Sequence, residues 1–405
     1  MCTKYAWELR KLEEISDKVT EKNNNSEFIE TLTNSAEFGI INQRDFFDKD
    51  ISNEKNLNGY YIVRDDDFVY NPRISNYAPV GPIKRNKLGR TGVISPLYYV
   101  FRPHDIDKKF LEYYFDTTVW HKFMKINGDS GARADRFAIK DSIFKTMPIP
   151  YPSIEEQRKI GKFFDDLNDT IALHQRKLDK LKRLKQGYLQ RLFPQNGEKV
   201  PRLRFTNFID EWKQHKLSEI ATMNARIGWQ NLRTSEFLDS GDYMLITGTD
   251  FKDGKIDYSS IHYVEKERYD QDKKIQIKND SILITKDGTL GKVAYIEGLN
   301  MPATLNAGVF NVRVKENDLA VSQYLFHYLK APFLLKYAAE QSTGGTIKHL
   351  NQNVLVDFPI PLPIKQEQHK LGQFFKQLDD TITLHQSKLA KLKSIKQAFL
   401  QKMFI

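Results

Sequence analysis

The sequence contains a single cysteine, Cys2, among 405 residues. One cysteine excludes a disulfide framework and any zinc cluster built on several cysteines, and it is typical of a protein kept in a reducing cytosol. The sequence also lacks a run of 18 or more apolar residues and a positively flanked apolar start. We therefore expect neither a membrane-spanning segment nor secretion, and we predict a cytoplasmic location.

Sequence motifs for catalysis are also missing. An adenine methyltransferase requires an N/D-P-P-Y/F loop and a Gly-rich loop for S-adenosylmethionine, and Asn71–Ile74 (N-P-R-I) does not match the first. Gly288–Lys292 has the spacing G-x-x-G-K, and Val293 replaces the Ser or Thr that a Walker loop uses to hold Mg²⁺. The histidines form no H-E-x-x-H, and the D-x-K triplet within Asp105–Lys109 is common by chance. We expect no catalytic residue, metal or cofactor in this chain, and therefore no enzyme activity of its own.

Positive charge is concentrated in two segments. The net charge is +10, and formal charges give +4 over residues 153–193 and +5 over 364–405, against +1 over 1–152 and 0 over 194–363. A basic protein without an export signal favours a polyanionic partner, most often nucleic acid. The alternative from charge alone is a solvated lysine face on two helices. The chain is long enough for two or more domains, each with its own core.

A block of 48 residues occurs twice. Adding 211 to residues 147–194 gives residues 358–405 without a gap, and 27 of the 48 pairs are identical. The segments outside these blocks repeat poorly. Short periods would indicate a solenoid. One large duplication with constant blocks and divergent inserts favours instead a molecule with pseudo-two-fold symmetry and two different recognition surfaces.

Each repeated block predicts one long helix. In the first copy, the prolines of residues 148–152 indicate an extended approach, and Ser153 with Glu156 forms a capping box. The second copy has Ile364 at the cap position, which predicts a weaker first turn. Apolar residues then alternate steps of four and three, as in the seam of a coiled coil. Each helix would have roughly 40 residues and a length of about 60 Å.

The seams of the two helices are expected to pack against each other. They comprise Ile160, Phe164, Leu167, Ile171, His174, Leu178 and Leu181 in the first helix, and Leu371, Phe375, Leu378, Ile382, His385, Leu389 and Leu392 in the second. Lys185 and Lys396 continue the seams, and we expect their charges to extend into water. His174 and His385 form either a buried, pH-sensitive pair that fixes the register or half-exposed residues that bond to their neighbours.

An antiparallel pair of helices would place the two variable regions at opposite ends. We favour it because a parallel pair would require the intervening segment to return the full helix length. The repeat then gives four segments: a variable domain at 1–146, a spacer helix at 147–194, a second variable domain at 195–357 and a second spacer helix at 358–405.

The variable regions mix β-rich runs with helical stretches. This mixture predicts an α+β fold with two mixed α/β domains separated by the long helices. The β-rich runs are residues 60–63, 93–101, 275–285 and 309–314, and the helical stretches are 108–126 and 321–341.

The ordered set of motifs resembles the specificity subunit of type I restriction-modification systems, over essentially the whole chain. The set consists of I-P-x-P before each helix, E-Q-x-K-I/L-G-x-F-F at its start, and L-x-D-T-I-x-L-H-Q-x-K-L-x-K-L-K followed by K-Q-x-x-L-Q along it. W-x-x-x-K-L-x-E-I opens both variable regions, at 7–15 and 212–220. Pro201–Phe205 precedes the second opening, whereas Trp7 has no such lead before it.

The resemblance implies two target-recognition domains, each reading one half of a bipartite double-stranded DNA sequence. The helices would dock two methyltransferase subunits, and restriction subunits that translocate DNA would join the complex. Those partners, and not this chain, would bind S-adenosylmethionine, ATP and Mg²⁺. The alternative function is a non-catalytic coiled-coil scaffold that joins two domains and binds proteins rather than DNA.

Candidate DNA contacts are Arg, Lys, Asn and similar side chains on loops, because these residues read base edges. In the first domain they are Asn71 and Arg73 after a predicted strand, and Lys84, Arg85, Asn86, Lys87 and Arg90 in an expected basic loop. In the second domain they are Lys286, Thr289 and Lys292 in a turn whose glycines permit close approach to phosphate, with Arg226, Trp229, Gln230 and Thr343 elsewhere. The alternatives are a solvated basic loop in the first domain and ordinary turns at 226–230 and 342–346.

Overall fold

The computed structural model describes residues 7–46, 54–129, 135–195, 197–228, 231–316, 319–341 and 349–404. The chain forms two compact units: unit 1 is residues 1–175 with 387–405, and unit 2 is residues 176–386. Both boundaries fall inside a long helix, so each long helix contributes one part to each unit. The repeat divides the sequence into four segments, whereas the folded chain packs as two units whose boundaries lie within the long helices.

Unit 1 is built from short elements before the first long helix. Its strands are β1 (Glu8–Lys11), β2 (Ser16–Lys18), β3 (Leu32–Ser35), β4 (Gly39–Asn42), β5 (Tyr61–Val63), β6 (Phe68–Tyr70), β7 (Ile83–Arg85), β8 (Gly92–Ile94), β9 (Tyr99–Pro103) and β10 (Pro148–Tyr151). Its short helices are α1 (Gln43–Phe46), α2 (Lys108–Phe115), α3 (His121–Asn127) and α4 (Asp141–Phe144). The first long helix is α5 (Ile154–Arg191).

Unit 2 lies between the two long helices in sequence. Its strands are β11 (Lys213–Lys216), β12 (Ala221–Ala225), β13 (Met244–Ile246), β14 (Phe251–Lys252), β15 (Lys255–Ile256), β16 (His262–Tyr263), β17 (Gln276–Ile277), β18 (Ile282–Thr285), β19 (Val293–Tyr295), β20 (Ala303–Leu305), β21 (Val309–Val314) and β22 (Pro359–Leu362). Its short helices are α6 (Leu217–Ile220), α7 (Lys266–Asp270), α8 (Ser322–Lys330), α9 (Phe333–Glu340) and α10 (Gln352–Leu355), and the second long helix is α11 (Lys365–Met403). Short 3-10 helices occur in both units. They are Leu12–Glu14 and Glu54–Gly59 in unit 1, and Thr234–Glu236, Gly248–Asp250, Tyr258–Ser260 and Lys273–Ile275 in unit 2.

The two units share one sheet topology. Unit 1 contains an antiparallel sheet of order β2-β9-β6-β7, and unit 2 contains an antiparallel sheet of order β12-β21-β18-β19. Unit 2 has a further sheet, β16-β13-β20-β17, in which β13 and β20 run parallel. The α+β class expected from the sequence is confirmed.

The two proline motifs pair with the two tryptophan-led motifs. In unit 1, β10 lies antiparallel to β1, with Pro150 opposite Leu9. In unit 2, β22 lies antiparallel to β11, with Pro361 opposite Gln214. Each strand of a two-stranded sheet has an edge without a partner, and proline, which lacks an N–H, is tolerated at such an edge. The two motifs recur together in the sequence because they form one joint.

Each long helix begins with the same hydrogen bonds to the segment before a short helix. On α5, the side-chain oxygen of Gln157 accepts from the backbone N–H of Asp107 at 2.8 Å. On α11, Gln368 accepts from the backbone N–H of Val321 at 2.9 Å. Each of these glutamines also donates to a prolyl carbonyl just before its own helix. The repeated glutamine thus links each long helix to the segment that precedes α2 or α8.

A glycine one turn later allows close helix packing. A Cβ added to Gly161 would come within 3.0 Å of the Cβ of Lys109, and one added to Gly372 within 3.1 Å of the Cβ of Gln323. Most real Cβ contacts are looser than this, so a side chain at either position would require the neighbouring short helix to shift by a few tenths of an ångström. The glycine of the repeated E-Q-x-K-I/L-G motif therefore has a steric cause.

Both predicted long helices are confirmed, at 38 and 39 residues. The backbone N–H of Glu156 donates to the Ser153 hydroxyl at 3.3 Å, as the capping box requires. Within unit 1, Phe163 near the start of α5 packs edge-on against Phe399 near the end of α11, with 5.1 Å between ring centres. Within unit 2, Tyr188 near the end of α5 packs against Phe374 near the start of α11, also at 5.1 Å. The antiparallel pairing expected from the sequence is confirmed.

The predicted seam residues are all buried or half-buried. Among them, His174 and His385 are half-buried. Lys185 requires a correction, because its charge does not extend into water: its side chain is 10 % exposed and forms an ion pair with Asp379. A lysine withdrawn from water in this way needs a carboxylate partner, since an unpaired buried charge is costly.

Several elements are shorter than the sequence suggested. The helical stretch 108–126 divides into α2 and α3, and 321–341 divides into α8 and α9, where Pro332 removes a backbone donor. The β-rich run 93–101 divides into β8 and β9, and 275–285 divides into β17 and β18. Hydrophobic content continued through each break, so the apolar pattern alone could not reveal the turns. The predicted strands near 60–63 and at 309–314 are confirmed as β5 and β21.

A buried ion pair holds the lead segment that precedes Trp212. The guanidinium of Arg204 donates to both carboxylate oxygens of Glu367, each at 2.8 Å, and Glu367 is fully buried. Removing one partner of a buried ion pair typically costs about 3–5 kcal/mol. We expect Arg204→Leu to lower the free energy of unfolding by about 3 kcal/mol, measured by urea denaturation of the whole chain.

The matched control for this variant is Glu156→Gln. Glu156 is the equivalent of Glu367 on α5, but it is exposed. We expect this control to change the free energy of unfolding by less than about 0.5 kcal/mol. An effect of Arg204→Leu no larger than that of the control would show that the ion pair does not hold the lead segment.

Candidate nucleic-acid interface

A cleft of about 570 Å³ opens in unit 1 beside the end of β6. Its walls come from residues 31–37, from residues 71–77 that follow β6, and from the turn before β9. The predicted DNA contacts Asn71 and Arg73 both line this cleft. The sequence therefore located one wall, and the fold supplies the others.

Hydrogen bonds fix the floor of the cleft. The side-chain amide of Asn71 donates to the backbone carbonyl of Asn34 at 2.8 Å. The amide nitrogen of Asn34 donates to the carbonyl oxygens of Val69 at 2.6 Å and Pro82 at 3.1 Å. Asn34 is buried, and its Oδ1 has no hydrogen-bond partner among the described residues. Asn34 therefore shapes the floor of the cleft from inside the fold and is not itself exposed to a group that enters the cleft.

The rim of the cleft carries exposed aromatic and cationic side chains. Tyr77 is 82 % exposed. The Arg73 side chain is 63 % exposed, and its nearest carboxylate, Asp135, lies 3.6 Å away. Arg136, which is half-buried, joins Arg73 through an isolated β-bridge. No motif in the sequence points to Asn34 or Arg136, because both lie far along the chain from residues 71–73. Tyr77 could have been found, since it continues the N-P-R-I-S-N-Y segment.

The basic segment of unit 1 is only partly the loop that was expected. Residues Ile83–Arg85 form β7, paired with β6, so the expected loop is wrong over these three residues. The four cations each meet a carboxylate of unit 1: Lys84 with Asp116, Arg85 with Asp66 and Glu112, Lys87 with Glu112, and Arg90 with Glu30. A DNA phosphate would have to compete with these carboxylates. DNA contact by Lys84, Arg85, Lys87 and Arg90 stays a prediction.

Two of these carboxyl groups, Glu30 and Asp66, have a lowered pKa. The hydrogen bond from Arg90 is the main cause that lowers the pKa of Glu30. At Asp66, burial raises the pKa, but hydrogen bonds from Lys108 and Arg85 outweigh it, and the pKa is lowered overall. A carboxyl group whose pKa is lower in the folded chain than in the unfolded chain stabilises the fold at pH values above its unfolded pKa. This stabilisation is lost as the pH falls through the folded pKa. The ion pairs of Glu30 and Asp66 are therefore intact at neutral pH.

Two predicted DNA contacts are buried and serve the fold, so both predictions are corrected. Asn86 is fully buried, and its amide donates to the carbonyl oxygens of Arg64 at 2.9 Å and Arg90 at 3.0 Å. Arg226 is also buried, and its Nε donates to the carbonyl oxygen of Leu305 at 2.8 Å. Burial lowers the pKa of Arg226. Each side chain satisfies backbone carbonyls inside its unit, which a loop-like sequence does not reveal.

In unit 2, the turn at 285–292 follows β18, the strand equivalent to β6. The hydroxyl of Thr285 donates to the carbonyl oxygen of Thr289 and accepts from the N–H of Lys292 at 2.9 Å. Gly288 and Gly291 have φ angles of 69° and 70°, which favour glycine. Thr289 and Lys292 are exposed at this turn.

The remaining predicted contacts of unit 2 are less accessible or are not described. Lys286 is half-buried, and its ammonium lies 5.7 Å from the ring centre of Phe310. Trp229, Gln230 and Thr343 lie outside the described residues.

Among the described residues, no cluster of three or more His, Cys, Asp or Glu side chains is arranged to hold a metal ion. None of the described helices combines the length and the apolar character needed to cross a membrane.

The duplicated architecture matches a known family. The family model described as "Type I restriction modification DNA specificity domain" matches this chain twice, at residues 5–183 and 209–394. The chain belongs to this family. The specificity family thus accounts for both copies of the repeat and for the variable region that precedes each of them.

Curated members of the specificity family resemble the chain at low identity. The MjaVIII specificity subunit of Methanocaldococcus jannaschii is 22 % identical over 267 residues, which cover 64 % of this chain and 61 % of that protein. The MjaIX specificity subunit of the same organism is 26 % identical over 346 residues, covering 79 % and 70 %. The EcoBI specificity subunit of Escherichia coli is 23 % identical over 276 residues, covering 63 % and 57 %. The matches span about three fifths of the first relatives.

Solved structures of the specificity family share the fold. The S subunit of a type I restriction-modification system from M. genitalium superposes with a TM-score of 0.58 at 16 % identity, covering 100 % of this chain and 98 % of that one. The HsdS subunit from Thermoanaerobacter tengcongensis gives a TM-score of 0.50 at 15 % identity, covering 99 % and 97 %. At such low identity the likeness shows the fold alone.

Proposed function

We propose that this chain is the DNA sequence-recognition subunit of a type I restriction-modification complex, and that each unit reads one half of a bipartite target. One observation carries the proposal. The units share a sheet order and the same hydrogen bonds to the long helices, yet unlike segments follow the equivalent strands: Asn71–Arg73 in unit 1 and Lys286–Lys292 in unit 2. A shared frame with two different surfaces suits a target with two different halves.

The cleft of unit 1 has the chemistry to read base edges. The exposed guanidinium of Arg73 can donate to guanine or to phosphate. Lys87 and Arg90 are the more exposed cations of the basic segment. They would contact phosphate if DNA displaced the carboxylates of Glu112 and Glu30 from their ion pairs.

Arg73→Ala tests this assignment. We expect the variant complex to accept more than one base at one position of one half-site, with binding to the original sequence weakened by about 1–3 kcal/mol. The measurement is a set of affinities for targets altered one base pair at a time. Lys292→Ala, the matched change in the turn of unit 2, should affect the other half-site alone. Unchanged preference in the Arg73 variant would remove this residue from the reading surface.

In this proposal the chain supplies specificity, and partner subunits supply the chemistry. Methylation and cleavage would belong to those subunits, which would bind S-adenosylmethionine, ATP and Mg²⁺. The support is that the sequence offers no cofactor loop and that the described residues offer no cluster of metal ligands. The purified chain, incubated with DNA and these cofactors, is expected to give no methylated and no cleaved product.

The long helices would dock two methyltransferase subunits. Leu173 and Leu384 occupy equivalent positions, 211 residues apart, and both are exposed although they are leucines on a helix. An exposed apolar side chain at the same place in both copies suits two copies of one partner.

Leu173→Asp and Leu384→Asp together are expected to weaken methyltransferase binding at least tenfold, because a carboxylate would be desolvated in each interface. Analytical ultracentrifugation of the mixed subunits measures the loss. Lys182→Asp and Lys393→Asp, at equivalent exposed positions, form the charge control. Equal assembly of the leucine variant and the wild type would place docking elsewhere.

A further inference from the structure

Tyr113 of unit 1 and His327 of unit 2 occupy equivalent positions, but the side chain of His327 is shorter than that of Tyr113. Tyr113 packs on Phe164 of α5, with 4.9 Å between ring centres, and His327 packs on Phe375 of α11 at 5.2 Å. The two phenylalanines are 211 residues apart and so are equivalent in the repeat. Unit 1 therefore shows which contacts the longer side chain makes, and unit 2 shows the space beside the shorter one.

In unit 1, the phenol hydroxyl of Tyr113 reaches the long helix. It donates to the carboxylate of Asp165 at 2.7 Å and accepts from the side-chain amide of Asn168 at 2.8 Å. Burial raises the pKa of Tyr113, so the hydroxyl keeps its proton. This hydroxyl therefore ties α2 to α5.

In unit 2, a cavity of about 180 Å³ lies beside His327. The residues equivalent to Asp165 and Asn168 are Lys376 and Asp379, and both line this cavity together with His327. The cavity is thus bounded by the counterparts of Tyr113 and of the two groups that its hydroxyl joins in unit 1. The rings of Tyr295 and Phe326, whose centres are 5.4 Å apart, add apolar walls.

His327 lines the cavity and carries a buried nitrogen without a partner among the described residues. The residue is 2 % exposed, and its Nδ1 has no hydrogen-bond partner in the part of unit 2 that the structure describes. Burial, reinforced by nearby lysines, lowers the pKa of His327 well below its usual range, so the imidazole is neutral at pH 7. This nitrogen has no accessible surface, so a molecule in the cavity would contact the ring of His327 and place a hydroxyl near Lys376 and Asp379, the counterparts of the groups that bind the Tyr113 hydroxyl.

The charged walls of the cavity are already balanced. Lys376 pairs with Glu297 at 2.6 Å, and Asp379 pairs with Lys185 and with Lys330. A ligand here need carry no net charge. It would need a flat apolar ring for Tyr295 and Phe326 and one group able to hydrogen-bond near His327.

We propose that this cavity binds a small, uncharged aromatic molecule with one hydroxyl group, held with its hydroxyl among His327, Lys376 and Asp379. An apolar cavity of about 150 Å³ in another protein holds benzene, so there is room for one ring. The bound molecule would link α8 to α11 by hydrogen bonds, as the Tyr113 hydroxyl links α2 to α5. This inference goes beyond the proposed function and does not depend on DNA recognition.

A fluorine NMR titration of the whole chain with para-fluorophenol tests the proposal. We expect saturable binding, and binding about threefold to tenfold weaker for para-fluorotoluene, which lacks the hydroxyl. His327→Tyr should abolish binding, because it fills the cavity with the side chain that unit 1 uses. Tyr113→Phe, the control in unit 1, should leave it unchanged. Absence of saturation with the wild type, or equal binding by the His327→Tyr variant, would overturn the proposal.

A second measurement does not depend on a variant that must fold. Crystals of the wild-type chain soaked with para-bromophenol would locate the ring through the anomalous signal of bromine. A bromine peak within the cavity beside His327 and Phe326 supports the proposal. Bromine bound elsewhere, with this cavity vacant, contradicts it.

Discussion

Exchange of residues 201–357 for the matching segment of another specificity-family chain is expected to change one half of the recognised DNA sequence completely and to leave the other half intact. The exchanged segment carries the turn at 285–292 and the sheet that presents it, whereas the cleft beside β6 stays in place. Because each unit has its own core and its own joint of proline and tryptophan motifs, the exchange replaces one self-contained surface.

The measurement for this exchange is the set of adenines methylated in cells that carry the hybrid and its partner subunits. The reciprocal exchange of residues 7–146 is the control and should change only the opposite half. A hybrid that folds and assembles but alters both halves would show that the two reading surfaces are not independent.

Insertion of four alanines after Leu181 is expected to disrupt the helix pair of unit 2. The insertion lengthens α5 by about 6 Å and rotates its later part by roughly 40°. Lys185 would then lose Asp379, and Tyr188 would lose Phe374. Breaking a buried ion pair alone typically costs about 3–5 kcal/mol, so we expect a loss of at least this size in the free energy of unfolding by urea.

A matched insertion in the facing helix is the control for this variant. Lys185 pairs with Asp379 in an antiparallel arrangement, which places Leu181 near Ile382 in the register of unit 2. Four alanines added after Ile382 as well should restore the pairing and most of the stability. We also expect the double insertion to alter the length of the DNA spacer. A stable double variant with an unchanged spacer would mean that the helices do not set it.

The features that could be predicted from the sequence are those with a repeated pattern. Heptad spacing fixed the seam of both long helices, and chain connectivity favoured their antiparallel pairing, because a long apolar stripe must be buried against a partner. The same duplication identified the W-x-x-x-K-L and I-P-x-P motifs, although their pairing as β1 with β10 became visible only in the fold.

The features that could not be predicted depend on contacts between distant segments. Asn34 and Asn71 are 37 residues apart and meet only because β3 lies beside the end of β6. Asn86 and Arg226 are residue types that often contact DNA, but here their side chains donate hydrogen bonds to backbone carbonyls inside the fold. Lys185 was expected in water because the sequence cannot show that Asp379 faces it. Polarity in a sequence indicates that a side chain needs a partner, and only the fold shows whether that partner is solvent, protein or DNA.

The most direct test of the proposed function is to map methylated adenines in DNA from cells that carry this chain with the methyltransferase subunits proposed as its partners. We expect a single bipartite sequence, with two defined half-sites separated by a spacer of fixed length and no defined sequence. Methylation of one uninterrupted sequence, or no methylation pattern that depends on this chain, would contradict the proposal that its two units read two half-sites.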